Sequence, residues 1–157
     1  MTKLPRNPLF LMGLLAALML LLCRPAMADS TAALDLAQYR GKVVLLDFWA
    51  SWCAPCLESF PWMQQIQQKY SGRGLVVIAV NVDHERRLAE RFLQARDASF
   101  PVIFDPDGQL AQRFHVNNMP SSFYIDRGGN IRYTHPGFRN SERADAEREL
   151  AALVGEP

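Results

Sequence analysis

Trp52-Cys53-Ala54-Pro55-Cys56 begins three residues after an apolar run, Val43 to Trp49, that is interrupted by a single charge, Asp47. The run reads VVLLDFW, rich in β-branched and aromatic residues, and has the length of a strand buried on both faces, as in parallel sheets. A second such run, Leu75 to Val82, follows a helical stretch from about Ala54 to Tyr70. Cys53 thus falls where a buried strand gives way to a helix. Unpaired amides and the dipole at that helix N-terminus favour an anion, so the Cys53 thiol is expected to drop from a pKa of ~8.5 toward neutrality and to act as the nucleophile. Cys56 lies about one turn further in, near enough for a disulfide and less exposed, which suits a thiol that resolves a mixed disulfide.

Two other readings of the pair are weaker. Zinc needs two further ligands at metal spacing, and the chain offers no second cysteine pair, only His84, His115 and His135 on different elements. No metal or other cofactor is expected. A purely structural disulfide would close so short a loop that its effect on the unfolded chain is on the order of 1 to 2 kcal/mol. Redox chemistry is the better explanation of the spacing.

The rest of the pattern predicts one α/β domain without repeats or long linkers. Residues 85 to 96 place Leu88, Phe92 and Ala95 on one stripe, with Ala89 and Leu93 beside them, and predict an amphipathic helix. Pro101 to Phe104 is a short strand closed by the Asp-Pro-Asp-Gly turn at 105 to 108, and Gln109 to Phe114 a short helix. Ser121 to Ile125 and Asn130 to His135 flank Asp126-Arg127-Gly128-Gly129 and predict an antiparallel hairpin. Asn140 or Ser141 caps a final helix to about Val154, with Ala146, Leu150, Leu153 and Val154 inward. The order βαβα, hairpin, α implies a central mixed sheet with helices on both faces.

Residues 1 to 28 read as a separate segment. Lys3 and Arg6 precede an uncharged, leucine-rich run from Leu9 to Leu22, followed by Arg24, Pro25 and Ala26-Met27-Ala28. That is the order of a secretory signal peptide, with cleavage expected after Ala28. The run is short of the ~20 residues a transmembrane helix needs, which makes a retained anchor the secondary reading. Cleavage leaves residues 29 to 157 with two cysteines, Cys53 and Cys56, in an oxidising extracytoplasmic compartment such as the periplasm. Over the whole chain 17 basic and 16 acidic residues are interleaved, net +1, so no field attracts nucleic acid or a membrane surface.

Val44-Leu45-Leu46-Asp47-Phe48-Trp49-Ala50-Ser51-Trp52-Cys53-Ala54-Pro55-Cys56, with Pro61 five residues later, resembles the active-site strand, turn and kinked helix of the thioredoxin superfamily. The signal peptide, Leu34-Asp35-Leu36, Gly41-Lys42, Val80-Asn81-Val82-Asp83 and Pro120-Ser121-Ser122-Phe123-Tyr124-Ile125-Asp126 with Gly129 resemble the exported TlpA-type branch of thiol-disulfide reductases. The resemblance implies a thioredoxin fold and a catalytic set of Cys53, Cys56 and Asp47. Thioredoxins carry a buried carboxylate where Asp47 stands. Desolvation there would raise its pKa and let it take the Cys56 proton during resolution. The TlpA-type branch often carries its acid after the second strand, where Asp83, His84 and Glu85 stand; these three are read as solvated loop residues.

Pro120, after Met119, matches the cis-proline loop that faces the dithiol in this superfamily and pairs with a substrate peptide by β-addition. Trp52, Ala54, Pro55 and Met119 would then form an apolar rim for substrates, while Trp49 and Trp62 are read as plain core. The function implied is reduction of disulfides in cysteine-containing exported proteins, apocytochrome c in cytochrome c maturation among them, by a monomer recharged through a membrane thiol transporter. Two alternatives stand beside it: a disulfide oxidase or isomerase, and a non-catalytic thioredoxin-like binding module. Strong oxidants of the superfamily usually carry His in the dipeptide, and Ala54-Pro55 lacks it.

Overall fold

The computed structural model describes residues 34–96 and 98–156. The predicted signal peptide therefore lies outside the described residues. Five strands form one sheet: β1 (Val43–Trp49), β2 (Leu75–Asn81), β3 (Val102–Phe104), β4 (Ser121–Ile125) and β5 (Ile131–Pro136). Their spatial order is β3-β2-β1-β4-β5. β1, β2 and β3 run parallel, while β4 is antiparallel to both β1 and β5. The helices are α1 (Ala54–Tyr70), α2 (Arg86–Gln94), α3 (Gln109–Arg113) and α4 (Arg143–Gly155). A 3-10 turn, Leu36–Tyr39, precedes β1.

Alternation along β1 divides the core in two. Val43, Leu45 and Trp49 point to the face covered by α1 and α4, where they meet Phe60, Met63, Ile66, Leu150 and Leu153. Val44, Leu46 and Phe48 point to the other face, against Leu34, Leu110, Phe114 and Phe123. Every residue of β1 is buried, as the unbroken apolar run requires of a central strand. Asp47 belongs by the same alternation to the α1 face.

α2 is rotated relative to the sequence reading. Ala89 and Phe92 are its buried residues, whereas Leu88 is 36% exposed and Ala95 is also exposed. Phe92 fixes this rotation by inserting into an aromatic cluster, 4.6 Å from Trp49 and 4.9 Å from Phe60 between ring centroids. The inward stripe is thus 89, 92 and 93 rather than 88, 92 and 95. α4 buries the four predicted residues, Ala146, Leu150, Leu153 and Val154. Its predicted cap does not form: Asn140 and Ser141 enter a 3-10 turn, and the Asn140 amide donates instead to Glu58 of α1 at 2.6 Å.

The hairpin residue Arg127 closes the end of the sheet remote from Cys53. Its guanidinium donates to the carbonyls of Gly41 (2.8 Å), Arg73 (3.2 Å), Val154 (3.0 Å) and Glu156 (3.1 Å), joining four segments. Gly74 is held close beneath it at φ +91°, and a Cβ there would stand 2.9 Å from Arg127 Nη1. Removing a cation that satisfies four carbonyls leaves acceptors unpaired. Arg127→Met is expected to lower stability by about 2 to 3 kcal/mol, read as a lower denaturant midpoint at constant m, with little change in thiol chemistry.

Candidate active site

The site lies at the carboxyl ends of β1 and β2, where parallel strands leave room for chemistry. β1 ends at Trp49, and a turn closed by the Cys53 N–H donating to the Ala50 carbonyl at 3.2 Å leads into α1. Cys53 is the residue immediately before the helix, with extended backbone (φ −86°, ψ 106°), and Pro55 occupies its first turn without needing a donor. Cys53 and Cys56 are joined as a disulfide with a Cα–Cα distance of 5.3 Å. Cys53 Sγ also accepts the Cys56 backbone N–H at 3.2 Å, so an amide already points at the sulfur that would carry negative charge after reduction. Cys53 keeps 4% exposure and Cys56 none, the order expected of an attacking and a resolving sulfur. Pro61 lies inside α1 and cannot donate to the carbonyl one turn earlier.

Asp47 is completely buried on the α1 side of β1. Its lateral neighbours are Ala79 on β2 and Ser122 on β4. Ser122 Oγ donates to Asp47 Oδ1 at 2.6 Å, while Oδ2 has no hydrogen-bond partner among the described residues. Burial raises the Asp47 pKa to about 7, and the Ser122 hydrogen bond opposes that rise without cancelling it. A carboxyl held near neutrality with one free oxygen is able to accept or release a proton.

The residues expected to form an apolar rim differ in exposure. Trp52 is 69% exposed, Ala54 and Pro55 are exposed, and Leu57 beside them is 41% exposed. Met119 is half-buried against the cluster that contains Cys53 and Cys56. The Met119–Pro120 peptide bond is cis, and the Pro120 carbonyl accepts the Gly137 N–H at 2.7 Å. Trp49 and Trp62 are buried in the core.

One sequence reading is corrected. Asp83 is no solvated loop residue: it is 3% exposed, although His84 and Glu85 beside it do face solvent. Its carboxylate accepts from the Ser51 backbone N–H (3.0 Å), the Ser51 hydroxyl (3.0 Å) and the Asn81 amide (2.8 Å). Asn81 is itself fully buried opposite Trp49 at the end of β2. The signal was in the alternation. Asn81 and Asp83 are two residues apart at the end of a buried strand, so both turn toward the same interior face, where neither would stand without partners.

A dithiol-forming disulfide at a helix N-terminus, on this sheet order and after a strand that carries a buried carboxyl, defines the class of thioredoxin-fold thiol-disulfide oxidoreductases. The chain belongs to the Redoxin family, whose sequence profile matches residues 22–150. It is 33% identical over 118 residues to the thiol-disulfide oxidoreductase ResA of Geobacillus kaustophilus, covering 75% of this chain and 67% of that relative. A Chlorobium tepidum structure described as a thiol:disulfide interchange protein DsbE superposes with a TM-score of 0.75 at 47% identity, over 76% of this chain and 85% of that one. The exposed lipoprotein thioredoxin Etrx1 of Streptococcus pneumoniae superposes with a TM-score of 0.62 at 33% identity, over 73% and 90%. Among the described residues no helix is long and apolar enough to cross a membrane.

Proposed function

We propose that the chain is an exported thiol-disulfide oxidoreductase that works mainly as a reductant outside the cytoplasm, after removal of residues 1 to 28 leaves 29 to 157 as a monomeric domain. The observation that carries this reading is the Cys53–Cys56 disulfide capping α1, with the free oxygen of Asp47 on the strand face that α1 covers.

In the reduced protein, Cys53 thiolate attacks one sulfur of a substrate disulfide, forming a mixed disulfide and expelling the other substrate sulfur as a thiolate. Cys56 then attacks Cys53 Sγ, its proton passing to Asp47 Oδ2, and the second substrate thiol is released as the Cys53–Cys56 disulfide re-forms. The substrate gains two electrons that the dithiol loses. Trp52, Ala54, Pro55 and Met119 hold the apolar surroundings of the substrate cysteine, and the chain before Pro120 pairs with its backbone.

The partners are cysteine-containing exported proteins, apocytochrome c in cytochrome c maturation among them. Two-electron recharging comes from a membrane thiol transporter. Ala54-Pro55 supports this direction, because the dipeptide puts no cation beside the Cys53 thiolate to stabilise the reduced form.

With dithiothreitol as donor, the protein is expected to accelerate insulin reduction, seen as precipitation of the free chains, and to show a reduction potential nearer thioredoxin's about −270 mV than the about −120 mV of a strong oxidant. No acceleration would favour the binding-module alternative. Acceleration with a potential near the oxidising end would favour an oxidase or isomerase.

A further inference from the structure

The buried Asp83 is not used by the chemistry above, yet it touches the turn that presents the nucleophile. We propose that Asp83 is a positioning residue of the dithiol site, clasping the Ala50–Cys53 turn and, by its negative charge, destabilising the reduced form of the Cys53/Cys56 pair so that it is a stronger reductant. The inference rests on the redox reading of that pair and concerns its poise.

The clasp is built from both strands whose ends frame the site. Asn81 on β2 donates to Asp83 Oδ2 and accepts the Asp83 N–H at 3.1 Å, which fixes the carboxylate. Asp83 in turn receives both the N–H and the O–H of Ser51, two residues before Cys53. The Val82 N–H donating to the Trp49 carbonyl at 3.0 Å ties the two chain segments together directly beneath. Such a side chain, almost wholly removed from water, holds the turn's geometry and acts electrostatically with little screening.

Ser51 and Cys53 belong to one reverse turn whose ends lie within about 7 Å, so the carboxylate stands roughly 10 Å from Cys53 Sγ. At an effective dielectric near 20, a unit charge at that range changes a thiol's pKa by about one unit. The sign is upward, against the pull of the α1 amides. The other ionisable side chains near the turn keep their charge and partners when Asp83 is replaced, so the difference between variant and wild type reads Asp83 alone. Asp47, on β1, accepts from Ser122; Glu58 accepts from Asn140; the ring of His84 faces the Pro106 carbonyl at 2.8 Å. A less stable thiolate means a less stable reduced form, hence a pair that gives up its electrons more readily.

The test is redox equilibration of the full mature chain with dithiothreitol. In that exchange the Cys53–Cys56 bond breaks, two protein S–H bonds form, and dithiothreitol loses two S–H bonds as its own disulfide closes. Asp83→Asn keeps the shape and removes the charge. At pH 8 its equilibrium is expected to shift about tenfold toward the reduced protein, equal to about 30 mV, and the pH midpoint of Cys53 alkylation to fall by about one unit.

Ser51→Ala keeps the charge and removes one donor that neutralises it, so its midpoint is expected to rise, by about twofold in the acid constant. A purely structural clasp would lower the stability of both variants and move neither potential nor midpoint; that result overturns the proposal. Should Asp83→Asn fail to fold, the Ser51→Ala midpoint decides: a rise supports the proposal and no change overturns it. If wild-type protein fails to reduce insulin but the Asp83→Asn shifts appear, the assignment of function fails while the poise inference stands.

Discussion

Replacing Cys56 by Ser is expected to abolish multiple turnover and to leave Cys53 covalently joined to its substrates. The attacking sulfur caps α1 and receives the Cys56 N–H, a backbone interaction that the substitution leaves in place, so thiolate formation and attack survive the change. The resolving step does not, because a hydroxyl cannot displace a thiolate from Cys53 Sγ on the same timescale. Mixed disulfides should therefore accumulate in cells, visible as bands that collapse on reduction, and vanish when Cys53 is also replaced. Cys56 is fully buried, so the new hydroxyl costs on the order of 1 to 3 kcal/mol if it finds no partner, and the fold should be checked by circular dichroism. The trapped proteins identify the substrate class: apocytochromes support the maturation reading, and other exported thiol proteins support a broader reductase. No adducts, together with a Cys53 that resists alkylation at neutral pH once reduced, would sink the nucleophile assignment.

The site's layout was legible in the sequence wherever it is local. The strand-to-helix junction is written in the VVLLDFW run and the Cys-x-x-Cys that follows, and one charge in an apolar run marked Asp47. The hairpin was equally legible, because Gly129 at φ +80° and the Asp126 carboxylate accepting the Asn130 N–H at 2.9 Å are turn chemistry contained within five residues. What was not legible depends on partners distant in sequence. Ser122 became part of the site only through the β1–β4 register, 75 residues away from Asp47. Asp83 read as a loop acid because its donors on Ser51 lie 32 residues upstream. The rotation of α2 was set by Phe92 meeting Trp49 and Phe60, a tertiary choice between two stripes that its own periodicity leaves nearly equal. The missing cap on α4 has the same origin, since Asn140 bonds to Glu58 on α1 instead of to its own helix.

Asp47 is expected to make the protein less stable as pH rises, and Asp47→Asn should remove that dependence while slowing catalysis. In the folded chain its carboxyl titrates at about 7, raised by burial from the 3.8 of an exposed aspartate. Between those values the native state holds a proton that the unfolded state has lost, so unfolding releases it and stability falls with rising pH. The slope is about 1.4 kcal/mol per pH unit, giving a loss on the order of 4 kcal/mol that begins near pH 4 and is complete above pH 7. Asparagine fills the same volume and its amide oxygen still accepts from Ser122, but it binds no titrating proton. Denaturation series at pH 4 and pH 8 should therefore show the variant gaining on the wild type by that amount across the interval, whatever its absolute stability. The same carboxyl is the proposed acceptor of the Cys56 proton, so insulin reduction by the variant should be slower and should lose the wild type's change in rate near pH 7. Unaltered turnover from pH 6 to pH 8 beside an altered stability slope would make Asp47 a buried structural acid and leave Cys56 to lose its proton by another route. A slope identical to the wild type's would mean that the Asp47 carboxyl is not held neutral in the fold at all, and the acid–base assignment would fall with it.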